Sequence, residues 1–453
     1  LNVPSELRDE FKRVAFKIWW PILHEMDLSI YRGEIVPKHG PGATAQKISG
    51  NQKYVCKLWT SRLERVFPHG EFLFSSWRHY DASRVTILEP DAEIPVRVVS
   101  VPKTLKTPRI IAIEPVHMQY VQQGLWRRLR TLIERDDILS MMVGFSDQEP
   151  NRSMAKEGSL YGNLATLDLS EASDRVSNWL VKDLMFRNGL CNEAVQSCRS
   201  QHADVPGYGV IPLTKFASMG SALCFPVEAM VFFTIVAMGV SRARSTPVTR
   251  KFLKELVGSV RVYGDDIIVP VDTVREVVDL LEAFGLKVNT AKSFWTGKFR
   301  ESCGKEYYDG VDVSIVKVRR NPPSSPRDAR EVLSYVSTRN QFYKAGWWDV
   351  CKFLDDDIQR LIPFPIVEET SQAIGRHSFL PYKEERMCIN LHRPLVKAYK
   401  VHAPSPPDLL EGEDALLKCL LKHGDEPFAD SKHLERSGRP ESFNIKLGWV
   451  PPY

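Results

Sequence analysis

Apolar residues recur at two different periods along the chain, and the changes between them divide it into elements. From Leu7 to Glu25 the spacing is helical, and roughly 51–67 reads as helical again, the two separated by the loop Pro37-Lys-His-Gly-Pro-Gly42. Between Val96 and Glu114 branched strand residues take over, broken by Pro102, Pro108 and cations, and Val116 to Arg135 then reads as a basic helix. From Leu164 to Asn289 the predicted order is strand (Leu164–Leu169), helix (about Asp174–Asn188), loop, long apolar helix (about Ala222–Met238), hairpin (Ser259–Val271), helix, strand. In the last helix Asp272 serves as the expected cap, Val274, Val277, Val278, Leu281 and Phe284 share one face, and Gly285 is the stop. This order predicts an α+β fold, a split βαβ sheet covered by helices on one face. The proline-rich run Asn321–Pro326 marks a boundary, 327–361 reads as mostly helical, and Ala403–Asp408 sets off a final helix and an irregular tail. No internal repeat is visible.

Composition narrows the class without deciding it. The 453 residues are 43% hydrophobic and 26% charged, enough for more than one core. A formal charge of +5 suits a nucleic-acid partner but does not demand one at this length. The eight cysteines form no C-x-x-C pair and have no His-rich neighbourhood, which argues against a zinc site or a disulfide framework and for a reducing cytoplasm. No signal peptide is read at the start, and Leu1-Asn2-Val3-Pro4 is not a natural beginning, so the numbering is expected to start inside a longer product. The apolar stretch 222–240 carries Pro226 and Glu228 and is expected to be a buried core helix, with no membrane partner.

The chemistry concentrates in two acidic elements. Tyr263-Gly264-Asp265-Asp266 sits at the tip of the predicted hairpin, with Ser259–Val262 and Ile267–Val269 as its strands. Two carboxylates roughly 4 Å apart repel by about 4 kcal/mol at an effective dielectric near 20, so a site that keeps both ionised should bind divalent cations or raise one pKa. The second element, Asp168-Leu-Ser-Glu-Ala-Ser-Asp174, stands where an apolar strand gives way to a helix, and by itself it could be no more than a helix cap. If that strand lies beside the hairpin, Asp168 and Asp265 face one another and can hold two ions about 3.5–4 Å apart, an arrangement suited to phosphoryl transfer. Hard oxygen ligands point to magnesium or manganese.

These residues resemble the viral RNA-dependent RNA polymerases, and among them the replicase subunits of Q-beta-like RNA bacteriophages, the leviviruses. The resemblance spans about 97–313 and rests on Y-G-D-D, A-T-L-D-L-S-E-A-S-D at 165–174, S-M-G-S-A-L-C-F-P-V-E at 218–228 and F-R-E-S-C-G-K-E-Y-Y-D-G-V-D-V at 299–313, in that family's order. It implies a right-hand polymerase with fingers, palm and thumb, an antiparallel palm sheet, and copying of single-stranded RNA from ribonucleoside triphosphates. The implied division is 1–156 N-terminal helical region and fingers, 157–188 palm, 189–214 fingers insertion, 215–315 palm, 316–430 thumb and 431–453 tail. Asp168, Asp265 and Asp266 become the metal ligands, with Asp266 in support, and Lys292 corresponds to a lysine that protonates the leaving pyrophosphate. Asp174 becomes the carboxylate that reads the ribose 2′-hydroxyl. Lys103, Lys106 and Arg109 become triphosphate-holding cations, and Ser218, Gly220 and Ser221 a pliable nucleotide-binding loop. Cys303 and Gly304 are implied to form a supporting turn.

Each of these residues also has a structural reading: solvated strand cations, serine caps, an exposed lysine after a strand. The chain departs from many RNA polymerases in having Glu228, and no Asn, in the helix after the Ser218 loop. The resemblance further implies host elongation factors Tu and Ts as partners and the cytoplasm of an infected bacterium as location. A reverse transcriptase is the nearest enzymatic alternative, although Asp174 invites a 2′-hydroxyl. An RNA-binding scaffold with a degenerate core is the alternative from another class.

Overall fold

The computed structural model describes residues 3–102, 108–403, 408–423 and 444–453 of a mixed α/β chain. Two compact units divide it, one formed by Leu1–Val99, Ile110–Ser314 and Asp408–Asp425, the other by Ser100–Arg109, Ile315–Pro407 and Glu426–Tyr453.

In the larger unit, strands β1 (Leu58–Thr60) and β2 (Thr86–Leu88) pair in parallel. Strand β3 (Val96–Pro102) lies between β4 (Pro108–Ile113) and the more distant sequence that follows the next strand, β5 (Leu164–Leu167). That sequence is the hairpin of β6 (His202–Val205) and β7 (Gly209–Pro212), and β6 runs parallel to β3. Strands β8 (Arg261–Tyr263) and β9 (Asp266–Pro270) form the acidic hairpin, and β9 pairs antiparallel with both β5 and β8, giving the order β5-β9-β8. A meander of β10 (Phe299–Ser302), β11 (Lys305–Tyr308) and β12 (Val311–Asp312) follows. The expected antiparallel sheet is therefore present.

The core of this unit is built around the helix Cys224–Ala243, whose residues from 226 to 240 are all buried. It is long and apolar enough to cross a membrane by composition, yet 89% of its most apolar window is buried inside this unit. The N-terminal helix Ser5–Tyr31 covers it, with Trp19 edge-on to Phe233 and the indole N–H donating to Thr234 Oγ1 at 2.9 Å. Each fully buried Leu, Ile or Phe in such a face stabilises by roughly 1.5–3 kcal/mol, which is why one apolar helix can organise elements more than 200 residues apart.

Several expected elements differ from those observed. The region 51–67 is not one helix: short helices Gln52–Val55 and Ser61–Glu64 flank β1, because pairing with β2 takes the backbone bonds of 58–60. The helix expected over 174–188 is split into Ala172–Arg175 and Asn178–Leu184, since Val176 O and Asn178 N–H bond the facing segment at Phe216 and Thr214. Asp272 does not cap the helix Val274–Ala283; it lies in a 3-10 turn, Val271–Thr273, that leads into it. Beyond that helix, 286–294 makes only isolated bridges to Leu169 and Thr166 where a strand was expected.

The smaller unit pairs two helices, Ala329–Lys344 and Trp348–Leu361, around Val332, Leu354 and Ile358, close to the helical stretch expected there. Strands β13 (Ala373–Ile374), β14 (Arg386–Met387), β15 (Pro394–His402) and β16 (Asn444–Val450) form its sheet. The tail was expected to be irregular; β16 instead pairs with β15 along its whole length, from Val396↔Val450 to His402↔Asn444. Alternation in N-I-K-L-G-W-V is interrupted by Gly448, which weakened its strand signal.

In the larger unit His117, in the first turn of the helix Val116–Arg135, is buried, and among the described residues neither ring nitrogen has a hydrogen-bond partner. Burial, with the charge of Arg62 adding to it, lowers its pKa from 6.5 to about 4. The unfolded chain binds that proton at higher pH than the folded one, so the stability is intact above pH 6.5 and is lost as pH falls toward 4. The loss attributable to this ring is on the order of 3 kcal/mol. Denaturant titrations at pH 7.5 and 4.5 should show wild type losing that much more than His117→Leu; equal acid losses in the two proteins would contradict the assignment.

Candidate active site

The acids converge because of strand register. Leu167 at the end of β5 pairs with Ile267, so Asp168, just past β5, and Asp265-Asp266, just before Ile267, lie at the same end of the sheet. Electrostatics report the same proximity. Burial raises the Asp168 pKa; Lys292 opposes that shift, the charge of Asp265 adds to it, and the amide of Asn289 opposes it. Asp266 is raised to about 6, chiefly by burial; the Cys303 N–H opposes this, and the charges of Asp265 and Asp168 add to it.

Each acid has its own support. Asn289 Nδ2 donates to Asp168 Oδ2 at 3.0 Å, and the Asp168 N–H donates to Ser293 Oγ at 3.0 Å. Asp266 accepts at Oδ1 from the Cys303 N–H at 3.0 Å and from Ser302 Oγ at 3.3 Å, so a cation would have to use Oδ2. The supporting turn lies between β10 and β11, where Cys303 (φ 49°) and Gly304 (φ 73°) are both left-handed. Burial pushes the Cys303 thiol up to about 12, so it stays protonated and contributes no thiolate chemistry. Behind the hairpin, Asn151 bridges: it accepts from Arg261 Nε at 3.0 Å, and its amide lies 3.5 Å from both Asp266 O and Ser302 Oγ.

The tip needs a glycine. Gly264 has φ 59°, and a Cβ there would sit 2.3 Å from the Phe225 ring, which packs edge-on against Tyr263. Three residues on, Glu228 faces the same acids from within the buried helix; burial foremost, then the charge of Asp265, raises its pKa to about 8. At neutral pH it is predominantly a neutral carboxylic acid.

Asp174 is exposed and ion-paired with Lys215, and it is not an N-cap: the short helix Ala172–Arg175 begins at Glu171, whose φ of 54° tightens the turn between Asp168 and Asp174. Lys292 is exposed in the turn after Asn289, near enough for its ammonium to favour ionised Asp168. Ser218, Gly220 and Ser221 form the loop before the buried helix. Its backbone is fixed to β4 by the Ala112 N–H donating to Met219 O at 2.8 Å, and Ser221 Oγ donates to the buried Gln122 at 3.1 Å. Arg109 is exposed near the start of β4, while Lys103 and Lys106 lie outside the described residues. Sequence reasoning did not single out Lys215, Asn289, Ser293, Ser302 or Gln122 as supports. Only Asn289 carried a signal, three residues before Lys292; the others are ordinary polar residues whose partners are distant in sequence.

Among the described residues no group of three or more His, Cys, Asp and Glu forms a ready-made metal cage. The donor set nonetheless fits a hard divalent cation: carboxylates at one end of a sheet, with Asp168 and Asp266 both raised in pKa, first by burial and then in part by neighbouring acids. Magnesium is ordinarily held by one or two carboxylates and completed by water and substrate phosphates.

The comparisons with known proteins bear on this same region. A family model described as RNA replicase, beta-chain, matches residues 89–333, more than half of the chain. The RNA-directed RNA polymerase subunit beta of Enterobacteria phage SP is 37% identical over 381 residues, covering 79% of this chain and 62% of that protein. Its counterpart from Escherichia virus Qbeta is 38% identical over 257 residues, covering 56% of this chain and 40% of that protein. The chain thus spans between two fifths and two thirds of the length of these two relatives. Among solved structures, the RNA-dependent RNA polymerase from bacteriophage phi12 aligns with a TM-score of 0.49 at 11% identity, over 79% of this chain and 65% of that one, a likeness too slight to carry an argument. The family match, resting on the segment that holds every acid described above, is decisive: this chain belongs to the RNA replicase beta-chain family.

Proposed function

We propose that the chain catalyses template-directed nucleotidyl transfer, in which the 3′-hydroxyl of a growing RNA attacks the α-phosphate of a ribonucleoside triphosphate and pyrophosphate leaves. The observation that carries this reading is the pairing of β5 with β9, Leu167 against Ile267, which brings Asp168 and the Asp265-Asp266 hairpin to the same end of the sheet. The domain reading belongs to the same proposal: palm at 157–188 and 215–315, fingers at 1–156 and 189–214, thumb at 316–430 and a tail beyond.

Two magnesium ions, or manganese, would supply charge neutralisation at the reacting phosphate and acidify the attacking hydroxyl. Asp168 and Asp265 would hold them, with Asp266 Oδ2 the third donor. Asn289 and the Ser302–Cys303 turn keep the first and third of these carboxylates oriented before substrate arrives, so less reorganisation is left for the reaction itself. Lys292 would give a proton to the leaving pyrophosphate, and Asp174 would accept one hydrogen bond from the ribose. Arg109, with Lys103 and Lys106, would meet the triphosphate, and the Ser218–Ser221 loop would shape the nucleotide pocket. Single-stranded RNA and the four ribonucleotides are the substrates, in the cytoplasm of a bacterial host. The family resemblance adds elongation factors Tu and Ts as partners, which co-purification with the tagged chain from bacterial lysate would check.

The direct test supplies the purified chain with a short RNA, magnesium and all four ribonucleotides. Wild type should extend the RNA. The double variant Asp265→Ala, Asp266→Ala should bind RNA with unchanged affinity and extend nothing; extension at the wild-type rate would overturn the reading.

A further inference from the structure

We propose that Lys215 is a specificity-determining positioning residue, whose ammonium pins the Asp174 carboxylate where it can accept a hydrogen bond from the 2′-hydroxyl of an incoming ribonucleotide. This inference rests on the polymerase reading above and deepens it. Its basis is the way the structure holds Lys215.

Lys215 Nζ pairs with Asp174 Oδ1. An ion pair between two flexible side chains on a surface is worth about 0–1 kcal/mol and fixes little. Here, however, both backbones are fixed. Lys215 bridges Ser177, the Asn178 N–H donates to Thr214 O at 3.1 Å, and the Phe216 N–H donates to Val176 O at 2.7 Å, so the lysine segment and the segment after Asp174 form a short antiparallel ladder. The buried Arg199 then clamps the lysine segment, donating to Leu213 O at 2.6 Å, Lys215 O at 2.7 Å and Phe216 O at 2.8 Å. Arg62 Nη2 in turn donates to Arg199 O at 2.9 Å. Three carbonyls around one guanidinium leave the lysine backbone little freedom, and only its side chain remains to be ordered by Asp174.

The pair also stands at the right place. Both charges act on buried Cys224 in the first turn of the helix that follows the Ser218–Ser221 loop, and Asp174 acts on Glu228 one turn further on. Asp174 keeps 49% of its side-chain surface exposed against 24% for Lys215, so the carboxylate is held from one side and open on the other. A lysine donates only, and it leaves the second carboxylate oxygen free to accept. Held in this way, Asp174 presents an acceptor that a 2′-deoxynucleotide cannot satisfy.

The experiment measures kcat/KM for adding one ribonucleotide and its 2′-deoxy counterpart to a short RNA primer on an RNA template, with the full chain and magnesium. Lys215→Met should lower the ribonucleotide value about tenfold and leave the deoxynucleotide value within about twofold, so discrimination falls about tenfold. Lys215→Arg should restore most of it. Adding Lys215→Met to Asp174→Ala should change discrimination no further, because the two residues act as one unit. Parallel losses for both sugars would mean that Lys215 serves the triphosphate or the fold, and would overturn the inference. Unchanged discrimination in Lys215→Met would do the same, as would retained discrimination in Asp174→Ala, a variant that removes the acceptor and carries the test alone if the lysine variants fail to fold. A wild type that adds neither nucleotide would instead count against the polymerase reading itself.

Discussion

Asp265→Asn should reduce nucleotide addition by at least about 10³-fold, while Asp266→Asn should stay within about tenfold of wild type. The two acids are neighbours in sequence, and composition alone gives no reason to separate them. Their surroundings do. Asp266 Oδ1 is already an acceptor for the Cys303 N–H and Ser302 Oγ, and an asparagine keeps a carbonyl oxygen in that place. Burial has raised its pKa to about 6, so replacing it with a neutral group removes a charge the fold holds at a disadvantage. Among the described residues none donates a hydrogen bond to the Asp265 carboxylate, and its charge acts on Asp168, Asp266 and Glu228 alike. Its loss removes the centre of the acidic group. Single-turnover addition rates at saturating magnesium would measure the difference, and equal losses from the two substitutions would show that Asp266 is an equal partner. Asp266→Ala, which deprives the Ser302–Cys303 turn of its acceptor, should be worse than Asp266→Asn.

The second large effect is expected at Gly220. Its φ is 126°, a region that side-chain-bearing residues rarely enter, and a Cβ there would lie 1.9 Å from the Ala112 carbonyl oxygen of β4. The obstacle is backbone, so no rotamer change relieves it. Gly220→Ala must either pull the loop off β4, breaking the 2.8 Å bond from the Ala112 N–H to Met219 O, or bend the strand. Strain of this kind costs about 1–3 kcal/mol, and a displaced nucleotide loop should lower kcat/KM by roughly 10²-fold. Urea unfolding and addition kinetics together would check it; a variant as stable and as active as wild type would mean that loop and strand are looser than their contact implies.

The fold was legible where the periodicity was strong and the partners local. The helices Val116–Arg135 and Cys224–Ala243 and the acidic hairpin lie close to where the spacing of apolar residues puts them, because amphipathic or continuous apolar runs are sufficient cause for those elements. The failures share a physical origin. Helical spacing at 51–67 and 174–188 lost to backbone pairing with β2 and with 214–216, contacts made across 28 and about 40 residues that no local pattern announces. The candidate site shows the same division. The acids could be read as a group because two carboxylates at a hairpin tip and one at a strand end are unusual in themselves, whereas what holds them, Asn289, Ser302 and Lys215, became visible only through geometry.

The depth at which the helix Cys224–Ala243 lies has a bearing on biosynthesis. As translation proceeds, this twenty-residue, mainly apolar helix reaches the solvent well after one of the segments that will shelter it, Ser5–Tyr31, has left the ribosome. That order lets Trp19 meet Phe233 and Thr234 as soon as they appear. A product lacking residues 1–30 would emerge with the same apolar stretch and without the Trp19 side of its cover, and should aggregate more readily than the full chain.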